Sequence, residues 1–516
     1  MAKLKLIKAS DRIENQEVKP EFKPSVYQSA VYDNIQFGTG NIVIDAVAGS
    51  GKSTTIVNAL KLIPENFSVL FLAFNKAIVE ELKLKIGNLP NVDIRTLHSL
   101  GASVVNRTFK STLDNSKYRS YIFDGLKYGS IKPTIELEEE EILDYRQNII
   151  QLVDLSRAYL CSDLQTLSAI ADKYLINVID NEIEMALNAV IWGKNYTAKI
   201  DFTDMIFLPN VKKLDMPKYD YVFIDECQDL NTAQRELFLM TLKPRGRFVA
   251  VGDPRQAIYG FAGADVESFN VLKSLPNTKL LPLSVCYRCD NTIIELAKTV
   301  VPQIEARDNA PEGIVNHEAK LADIQDGDMV LCRVTAPLVG LCMNYIANGI
   351  KAYVKGRDIG LNLINMIKKT NRREMSDVME RLNGELHKIA LKVMNRTRCT
   401  LQEAKQDSLY TSHQDKVQAI EVIANNLKTS QAVINRIENL FKDNERSGIC
   451  LSTVHKAKGL EANNVFIIHN DKFLLKRAMR TEWSAEQEHN LVYVAYTRAK
   501  HKLGFITDYD FYGSRN

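Results

Sequence analysis

The sequence predicts an α/β protein built on parallel sheets, and three features of the 516-residue chain support this fold class. Short apolar segments typical of buried strands recur next to helical segments. One apolar strand, at residues 41–60, continues through a glycine-rich loop into a helix. Two long stretches without apparent strands interrupt the alternation once in each half. Because parallel strands need crossover connections, this alternation is typical of parallel sheets covered by helices. The other predicted strands are residues 69–73, 221–224, 248–251, 329–332 and 465–468.

Length and composition indicate several folded units, and they argue against binding of nucleic acid through overall charge and against a cysteine zinc site. The hydrophobic share of 45% and the charged share of 25% are ordinary for a soluble globular chain. The net charge of +3 is close to balance, so nucleic-acid contacts would have to come from local clusters of Lys and Arg. The eight cysteines are scattered, and the Cys286/Cys289 pair lacks the further ligands of a zinc site.

The N-terminus has no apolar signal-peptide region, and no apolar run approaches the ~20 residues of a membrane span. We therefore expect a soluble, intracellular protein of the cytoplasm or nucleoid, with no membrane partner and with reduced thiols.

A phosphate-binding P-loop is predicted where the segment AVAGSGKS follows the first strand. Gly49 and Gly51 let backbone N–H groups turn toward phosphate oxygens, Lys52 can reach the β- and γ-phosphates, and the Ser53 hydroxyl can bind Mg²⁺. Ala46 replaces the first glycine of the GxxxxGK[ST] pattern. An ordinary turn before a lysine is the competing interpretation, but the order of strand, loop and helix favours a nucleotide site.

Adjacent carboxylates follow another apolar strand in YVFIDECQDL. In a P-loop enzyme, Asp225 is expected to hold Mg²⁺ and Glu226 to polarise the water that attacks the γ-phosphate. A solvated turn is the alternative, which the position after a buried strand disfavours. A third strand, in RFVAVGDPRQAIYGFAGAD, brings Asp253 and Gln256 to the same sheet edge, where the glutamine amide can sense the γ-phosphate.

The order of these motifs resembles the superfamily 1 helicases, specifically the UvrD/Rep/PcrA branch, across nearly the whole chain. The matching segments are PSVYQSAV (Q motif), AVAGSGKS (Walker A), FLAFNKA (Ia), TLHSL (Ib), DFTDM, DECQDLNTAQ (II), VGDPRQAIYGFAGA (III), VCYRC (IV), TVHKAKGLE (V) and LVYVAYTRA (VI). Motif Ia in its FNKA form is more similar to the F-box DNA helicase branch.

The resemblance implies two RecA-like P-loop motor domains, each with a helical insertion subdomain. Domain 1A is expected at residues 1–100 and 200–265, and its insert 1B at 101–199. Domain 2A is expected at residues 266–360 and 444–516, and its short insert 2B at 361–443. ATP would lie between the motor domains, and single-stranded DNA would cross their top.

The resemblance also assigns the ATP site. By similarity, Gln28 reads the adenine edge, Tyr287 stacks on the adenine ring, and Glu461 accepts from the ribose. Arg288 and Arg498 would be arginine fingers from the second motor domain, stabilising charge on the transferred phosphoryl group. The predicted catalytic residues are Lys52, Asp225, Glu226, Gln256, Arg288 and Arg498. The predicted ATP-binding residues are Gln28, Ala48, Gly49, Ser50, Gly51, Lys52, Ser53, Thr54, Tyr287, Arg288, Gly459, Glu461 and Arg498, with Ser53 and Asp225 on Mg²⁺.

Nucleic-acid contacts are predicted from aromatic and polar residues near the matching motifs. They are Phe74 and Asn75 in motif Ia, Thr96 and His98 in motif Ib, Tyr259 and Phe261 in motif III, and Thr453 and His455 in motif V. Aromatic stacking on bases tolerates any sequence, as a translocating enzyme requires. Core packing is the competing interpretation for Phe74 and Phe261, and a satisfied buried histidine for His98.

Three residues depart from the family pattern. Thr54 stands where UvrD-like proteins often carry an Arg over the adenine, Ala262 replaces the Arg of the family's W/F-R-G-A segment, and Cys286 replaces the Asn before Tyr-Arg. Neither the change at Cys286 nor the FNKA form of motif Ia removes a phosphate-contacting residue.

The resemblance implies an ATP- and Mg²⁺-dependent DNA helicase that moves 3′-to-5′ on single-stranded DNA. It would act at single-strand/double-strand junctions in repair, recombination or replication, as a monomer or weak oligomer, with other replication or recombination proteins as potential partners. One alternative is a translocase that strips proteins from DNA with little unwinding. Another is a nucleotide-gated nucleic-acid-binding module without hydrolysis. The sequence leaves an RNA track open, because stacking and phosphate contacts do not read the 2′-OH.

Overall fold

The computed structural model describes residues 23–507, apart from residues 88, 259, 261–266, 442–446 and 469–481. Two predicted nucleic-acid contacts, Tyr259 and Phe261, lie outside the described residues, as does Ala262.

Two six-stranded sheets form the centre of the protein. In chain order the strands are β1 (Asn41–Ala46), β2 (Val69–Ala73), β3 (Val92–Thr96), β4 (Thr112–Leu113), β5 (Lys199–Ile200), β6 (Tyr219–Ile224), β7 (Leu242–Gly252), β8 (Thr278–Leu283), β9 (Val285–Cys286), β10 (Glu305–Ala306), β11 (Ile314–Asn316), β12 (Met329–Cys332), β13 (Ala352–Val354), β14 (Ile449–Thr453), β15 (Ala462–Ile468) and β16 (Ala499–Ile506).

Helices connect the strands and build the inserts. They are α1 (Val26–Phe37), α2 (Lys52–Lys61), α3 (Lys76–Ile86), α4 (Leu97–Phe109), α5 (Lys117–Tyr128), α6 (Glu139–Tyr159), α7 (Leu164–Lys173), α8 (Glu182–Asn195), α9 (Asp204–Val211), α10 (Thr232–Leu239), α11 (Ser268–Ser274), α12 (Asn291–Lys298), α13 (Ala336–Ala347), α14 (Arg357–Lys369), α15 (Met375–Thr397), α16 (Leu401–Ala404), α17 (Ser408–Ile423), α18 (Ser430–Leu440), α19 (Val454–Ala457) and α20 (Glu482–Tyr496). No described helix combines the length and the apolar character that a membrane crossing requires.

The first sheet has the strand order β3-β2-β6-β7-β1-β8, and every neighbouring pair is parallel. We call this sheet with its flanking helices the first unit. Strand β2 is buried along its whole length, as expected for a parallel strand covered on both faces. The strand order places the ends of β1, β7 and β6 side by side and the ends of β2 and β3 beyond them. The sheet edge is therefore divided between two groups of loops.

The second sheet has the order β11-β16-β15-β12-β14-β13 and is also parallel throughout. We call this sheet with its helices the second unit. The two parallel sheets confirm the predicted α/β fold class.

Strand β8 differs from the sequence prediction. It pairs with β1 from Asn41↔Thr278 to Ala46↔Leu283, so it completes the first sheet. The predicted boundary at residue 266 places this segment in the second motor domain. Its sequence, TKLLPL, is half exposed and carries a proline, as expected for an edge strand, so it does not show the continuous apolar pattern of the other strands.

Each unit carries a helical insert. The first contains α5 to α8, and its ends are joined by the short parallel pair β4 and β5, whereas the sequence predicts a stretch without strands. The second contains α14 to α18. An ion pair between Lys392 of α15 and Asp144 of α6, 2.5 Å long, joins the two inserts.

A buried charge cluster fixes the first insert to the first unit. Asp204, in the DFTDM segment, pairs with Lys117 at 2.6 Å and with Arg157 at 3.2 Å, and it accepts from the Tyr118 hydroxyl at 2.9 Å. Arg157 also pairs with Asp201 at 2.8 Å. Each charge is largely removed from water, so each depends on its partners. The DFTDM carboxylates therefore have a structural role.

We expect Asp204→Ala to lower the free energy of unfolding by about 3–5 kcal/mol, because it leaves Lys117 and Arg157 buried without their shared carboxylate. Urea denaturation followed by circular dichroism would measure this change. Lys199→Ala, which breaks the exposed 3.0 Å pair with Asp114 at the base of the same insert but leaves the hydrogen bonds between Asp114 and Ser116 in place, is the control and should hardly change the midpoint. Equal effects of the two substitutions would contradict the assigned role.

Candidate functional site

The loop between β1 and α2 has the backbone of a phosphate cradle. Gly49 and Gly51 adopt left-handed conformations, with φ of 68° and 75°, and Gly51 caps α2, which begins at Lys52. The Ser50 side chain is buried, and its hydroxyl oxygen has no hydrogen-bond partner among the described residues. A buried polar atom without a partner is costly, and a phosphate oxygen would satisfy it. The loop therefore fits a nucleotide phosphate.

Lys52 and Glu226 form an ion pair between this loop and the end of β6. Lys52 Nζ lies 2.6 Å from Glu226 Oε1, and both side chains are largely buried. Burial raises the pKa of Glu226, but the charges of Lys52 and Lys458 and the hydrogen bonds from Lys52 and Gln228 together outweigh it and lower this pKa to about 2. Burial lowers the pKa of Lys52, but the charges of Glu226, Asp225 and Asp253 together outweigh it and raise this pKa. Both groups are therefore ionised at neutral pH.

Asp225 and Ser53, the predicted magnesium ligands, lie directly after β6 and in the first turn of α2. Asp225 is buried directly after β6, and its Oδ1 accepts from the Glu226 N–H at 2.9 Å. Burial, together with the charge of Glu226, raises the pKa of Asp225 to about 6. The described residues contain no group of three or more His, Cys, Asp and Glu that could hold a metal. Mg²⁺ is commonly held by one or two protein oxygens together with substrate phosphates and water, and its binding at Ser53 and Asp225 stays a prediction.

A glutamine network connects the carboxylates. Gln228 Nε2 donates to Glu226 Oε2 at 2.6 Å, and its Oε1 accepts from the Asp253 N–H at 3.0 Å. Gln256 Nε2 donates to Asp253 Oδ2 at 2.7 Å. The network joins the ends of β6 and β7 and orients the Glu226 carboxylate. Sequence reasoning named Gln256 and missed Gln228, although Gln228 lies two residues after Glu226.

Arg498 reaches this network from the second unit. It is buried after α20, where Nη2 lies 3.4 Å from Gln256 Oε1 and Nη1 donates to the Leu460 carbonyl at 3.0 Å. Burial and the nearby charge of Arg288 lower the pKa of Arg498 to about 10, so the guanidinium stays charged at neutral pH. The structure brings this predicted finger to the predicted sensor.

Arg288 lies two residues after β9, in the segment that leads from the first sheet to the second. Helix α12, which follows it, packs against β16 and α20 of the second unit. Its Nε pairs with Glu461 Oε2 at 2.6 Å, and its Nη1 donates to the Thr497 carbonyl at 3.1 Å. Glu461, the predicted ribose contact, also pairs with Lys500 at 2.6 Å. Both predicted fingers thus lie at the boundary between the units.

Lys458 is a second cross-unit contact, which sequence reasoning missed. It lies in the loop after α19, and its ammonium donates to Asp229 Oδ2 and to the Gln256 carbonyl, the latter at 2.7 Å. Burial raises the pKa of Asp229 to about 6 against the opposing charge of Lys458. The only sequence signal was the position of Lys458 within motif V, beside Gly459, which adopts a left-handed φ of 84°.

The predicted adenine contacts surround the start of α2. Tyr287 N–H donates to the Gly49 carbonyl at 2.8 Å, and its ring is 40% exposed. Gln28 Nε2 donates to Thr55 Oγ1 at 3.0 Å, and its Oε1 accepts from the Ser25 N–H at the start of α1. Thr54 is exposed on α2. Gln28 and Tyr287 both lie beside the phosphate loop, since a Cβ added at Gly51 would lie 3.5 Å from Gln28 Nε2 and 3.7 Å from Tyr287 Cδ2.

An aromatic platform lies at the other end of the first-sheet edge. His98, just after β3, stacks on Phe202 with ring centroids 4.0 Å apart, and Phe202 is 54% exposed. Burial lowers the pKa of His98 to about 4, so its ring is neutral at neutral pH. Phe74 follows β2 and is 50% exposed, which disfavours core packing. Sequence reasoning missed Phe202, whose signal was its place in DFTDM.

Other predicted nucleic-acid residues cap helices. The side-chain oxygens of Asn75, Thr96 and Thr453 accept from N–H groups in the first turns of α3, α4 and α19. Burial, with the nearby charges of Arg333 and Lys456, lowers the pKa of His455 to about 3. Their contact with nucleic acid stays a prediction.

Two family models match the chain. The UvrD/REP helicase N-terminal domain matches residues 29–276, and the UvrD-like helicase C-terminal domain matches residues 448–506. The first range contains the phosphate loop and the ends of β6 and β7. The second contains β14 to β16, with Lys458 and Arg498.

Similar relatives are named as helicases. The ATP-dependent DNA helicase Rep of Escherichia coli (strain K12) is 26% identical over 287 residues, which cover 52% of this chain and 42% of the relative. F-box DNA helicase protein 1 of Schizosaccharomyces pombe is 23% identical and covers 95% of this chain and 58% of the relative. F-box DNA helicase 1 of Gallus gallus is 23% identical, and the match covers 90% of this chain and 47% of the relative. The chain spans about half the length of the curated relatives it matches.

The family models, the relatives and the two parallel sheets agree with the motif order along the chain. They confirm the resemblance seen in the sequence, and the sheets correspond to the two RecA-like domains expected of such a protein. The chain therefore belongs to the UvrD/Rep helicase family.

Proposed function

We propose that the chain is an ATP-dependent DNA helicase or translocase that moves 3′-to-5′ on single-stranded DNA and hydrolyses ATP between its two units. One observation carries the proposal. Arg498 of the second unit contacts Gln256, and Gln256 is hydrogen bonded to Asp253. Gln228 then connects Asp253 to Glu226, which pairs with Lys52 of the phosphate loop. Groups from both units are therefore joined around one phosphate cradle, so hydrolysis and relative motion can be coupled.

The names of the relatives support this proposal. Rep is named an ATP-dependent DNA helicase, and the two F-box proteins are named DNA helicases. We further propose single-strand/double-strand junctions as the substrate, with a role in repair, recombination or replication. We also propose that the protein is a monomer or weak oligomer of the cytoplasm or nucleoid. It would work with other replication or recombination proteins.

The Lys52–Glu226 ion pair suggests how phosphate binding prepares the site. A phosphate anion beside Lys52 competes with Glu226 for the ammonium group. Glu226 is then released to accept a proton from water while Gln228 keeps its carboxylate oriented. Ser53 and Asp225 are the residues that would hold Mg²⁺, which neutralises phosphate charge when bound. The Lys52–Glu226 pair therefore serves both to bind the phosphate and to activate the attacking water.

Closure of the units brings positive charge to the site. Arg498 and Lys458 reach the first unit from the second, and Arg288 lies at their boundary. Their guanidinium and ammonium groups stabilise charge only when the units are together. Cycles of closing around ATP and opening around ADP would move one unit against the other, which is the basis of stepping along a strand.

The nucleic-acid track is proposed along the opposite part of the first-sheet edge. Phe74 follows β2 and the stacked His98–Phe202 pair lies after β3, whereas the phosphate loop follows β1. Exposed rings can stack on successive bases independently of sequence. Strand order therefore separates the track from the ATP site while both remain on one sheet.

The first test measures ATP hydrolysis with and without single-stranded DNA, and unwinding of duplexes with a 3′ or a 5′ tail. We expect DNA-stimulated hydrolysis, unwinding only from the 3′ tail, and neither activity in Lys52→Ala. Stimulated hydrolysis with little unwinding would favour a translocase that strips proteins from DNA. Binding of DNA without stimulated hydrolysis would contradict the proposal in favour of a gated binding module.

Arg498→Ala should lower kcat by about 10³- to 10⁵-fold, the range for loss of an arginine finger, with a smaller change in KM for ATP. Steady-state kinetics at saturating DNA measure both constants. Arg245→Ala is the matched control, because Arg245 is exposed on β7, far from the strand end that carries Asp253. A kcat within about twofold of wild type for Arg498→Ala would contradict the role of the arginine.

Phe202→Ala should weaken binding of a single-stranded oligonucleotide by ~1–3 kcal/mol, which is roughly 5- to 150-fold in Kd, because it removes the exposed ring of the platform. Fluorescence anisotropy with labelled oligo(dT) measures the change. Phe123→Ala serves as control, since Phe123 is 53% exposed on α5 but is not part of the platform. Similar losses in both variants would argue against a specific stacking site at Phe202.

A further inference from the structure

Helix α20 of the second unit touches the phosphate loop directly. Tyr493 is fully buried on this helix, and its hydroxyl oxygen accepts a hydrogen bond from the Ala48 N–H at 2.9 Å. Ala48 lies in the phosphate loop between β1 and α2. A backbone donor of the phosphate loop is thus satisfied by a side chain of the other unit, and the bond requires the two units to be together.

Asn490 makes a parallel contact one turn earlier on the same helix. Its Nδ2 donates to the Pro254 carbonyl at 3.3 Å and to the Ala257 carbonyl at 3.1 Å, on either side of Gln256. Residues three apart lie on one face of a helix, so this face of α20 holds the phosphate loop and the sensor loop together. Arg498 follows directly after the helix.

The apolar contacts of the loop point in the same direction. Val47 and Ala48 are buried in a cluster built mainly by residues of the second unit and the segment leading to it, including Ile293, Val454 and Leu491. Strand β1, which precedes the loop, packs in clusters of the first unit. The strand before the loop therefore packs in the core of the first unit, and the first residues of the loop itself pack in the core of the second.

The surroundings of Tyr493 keep its phenol neutral. Asp253, Arg255, Cys286 and the Ala48 N–H face its hydroxyl. Burial raises the pKa of Tyr493, and the charge of Asp253 raises it further. The hydroxyl therefore keeps its proton and acts as a fixed hydrogen-bonding group.

We propose that Tyr493 is a positioning residue for ATP hydrolysis, which aligns the phosphate loop with Arg498 when the units close. The inference rests on the proposed function. Tyr493 acts through the Ala48 N–H and takes no part in the chemistry itself. Loss of its hydroxyl leaves that buried N–H without a partner in the closed state only, so closure becomes less favourable. Nucleotide binding depends mainly on groups of the first unit and is affected less.

Tyr493→Phe removes this one oxygen and keeps the ring. We expect kcat for DNA-stimulated hydrolysis to fall by about tenfold, which corresponds to ~1.4 kcal/mol, while KM for ATP and the melting temperature stay close to wild type. Asn490→Ala is expected to lower kcat in the same direction, because it loosens the sensor loop from the same helix face.

Tyr496→Phe is the matched control, since Tyr496 lies one turn farther along α20 and packs edge-on against Phe505 at 5.6 Å. Its kcat should equal that of wild type. A lower kcat for Tyr493→Phe with unchanged KM and unchanged control supports the inference. An unchanged kcat for Tyr493→Phe overturns it.

If Tyr493→Phe melts at a markedly lower temperature, Asn490→Ala decides between the two explanations. A normal kcat for that variant then assigns Tyr493 a purely structural role and overturns the inference, whereas a reduced kcat supports it. A wild-type chain without DNA-stimulated hydrolysis contradicts the proposed function itself, and that result is seen before any variant is compared.

Discussion

The site depends on one geometric constraint: all strands of the first sheet are parallel, so every loop that follows a strand emerges at the same edge. Strand order then decides which loops meet. With β6, β7 and β1 adjacent, Asp225, Asp253 and the phosphate loop lie side by side. With β2 and β3 beyond β6, Phe74 and His98 lie farther along the edge. A nucleotide site and an aromatic platform thus share one rigid scaffold.

The second requirement is that buried charges have partners, and several of those partners come from the other unit. Asp229 depends on Lys458, while Lys52 and Glu226 satisfy each other within the first unit. Separation of the units would leave Asp229 to water or to another donor, because an unpaired buried charge is costly. The polar network therefore favours a few distinct positions of one unit relative to the other over a continuous range. A cycle driven by ligand binding needs such distinct positions.

Much of this structure could be predicted from local patterns. Apolar strands that are covered on both faces, such as β2 and β12, have continuous hydrophobic sequences, and the glycine-rich loop has fixed spacing. Strand β8 could not be predicted because it lies at a half-exposed edge. Gln228, Lys458 and Phe202 were missed because their importance comes from contacts with residues distant in the chain. Similarly, the pairing of Arg288 with Glu461 joins residues that are far apart in the chain.

The first insert has a further mechanical consequence. Helix α6 contains 21 residues and is about 30 Å long. Near its C-terminal end, Arg157 is fixed to Asp201 and Asp204, whereas Asp144, near the other end, contacts Lys392 of the second insert. A rotation of about 10° at Arg157 would displace Asp144, which is about 20 Å away along the helix, by about 3 Å. The helix therefore acts as a lever. A small change of angle between the units would move Asp144 far enough to break and remake its contact with Lys392.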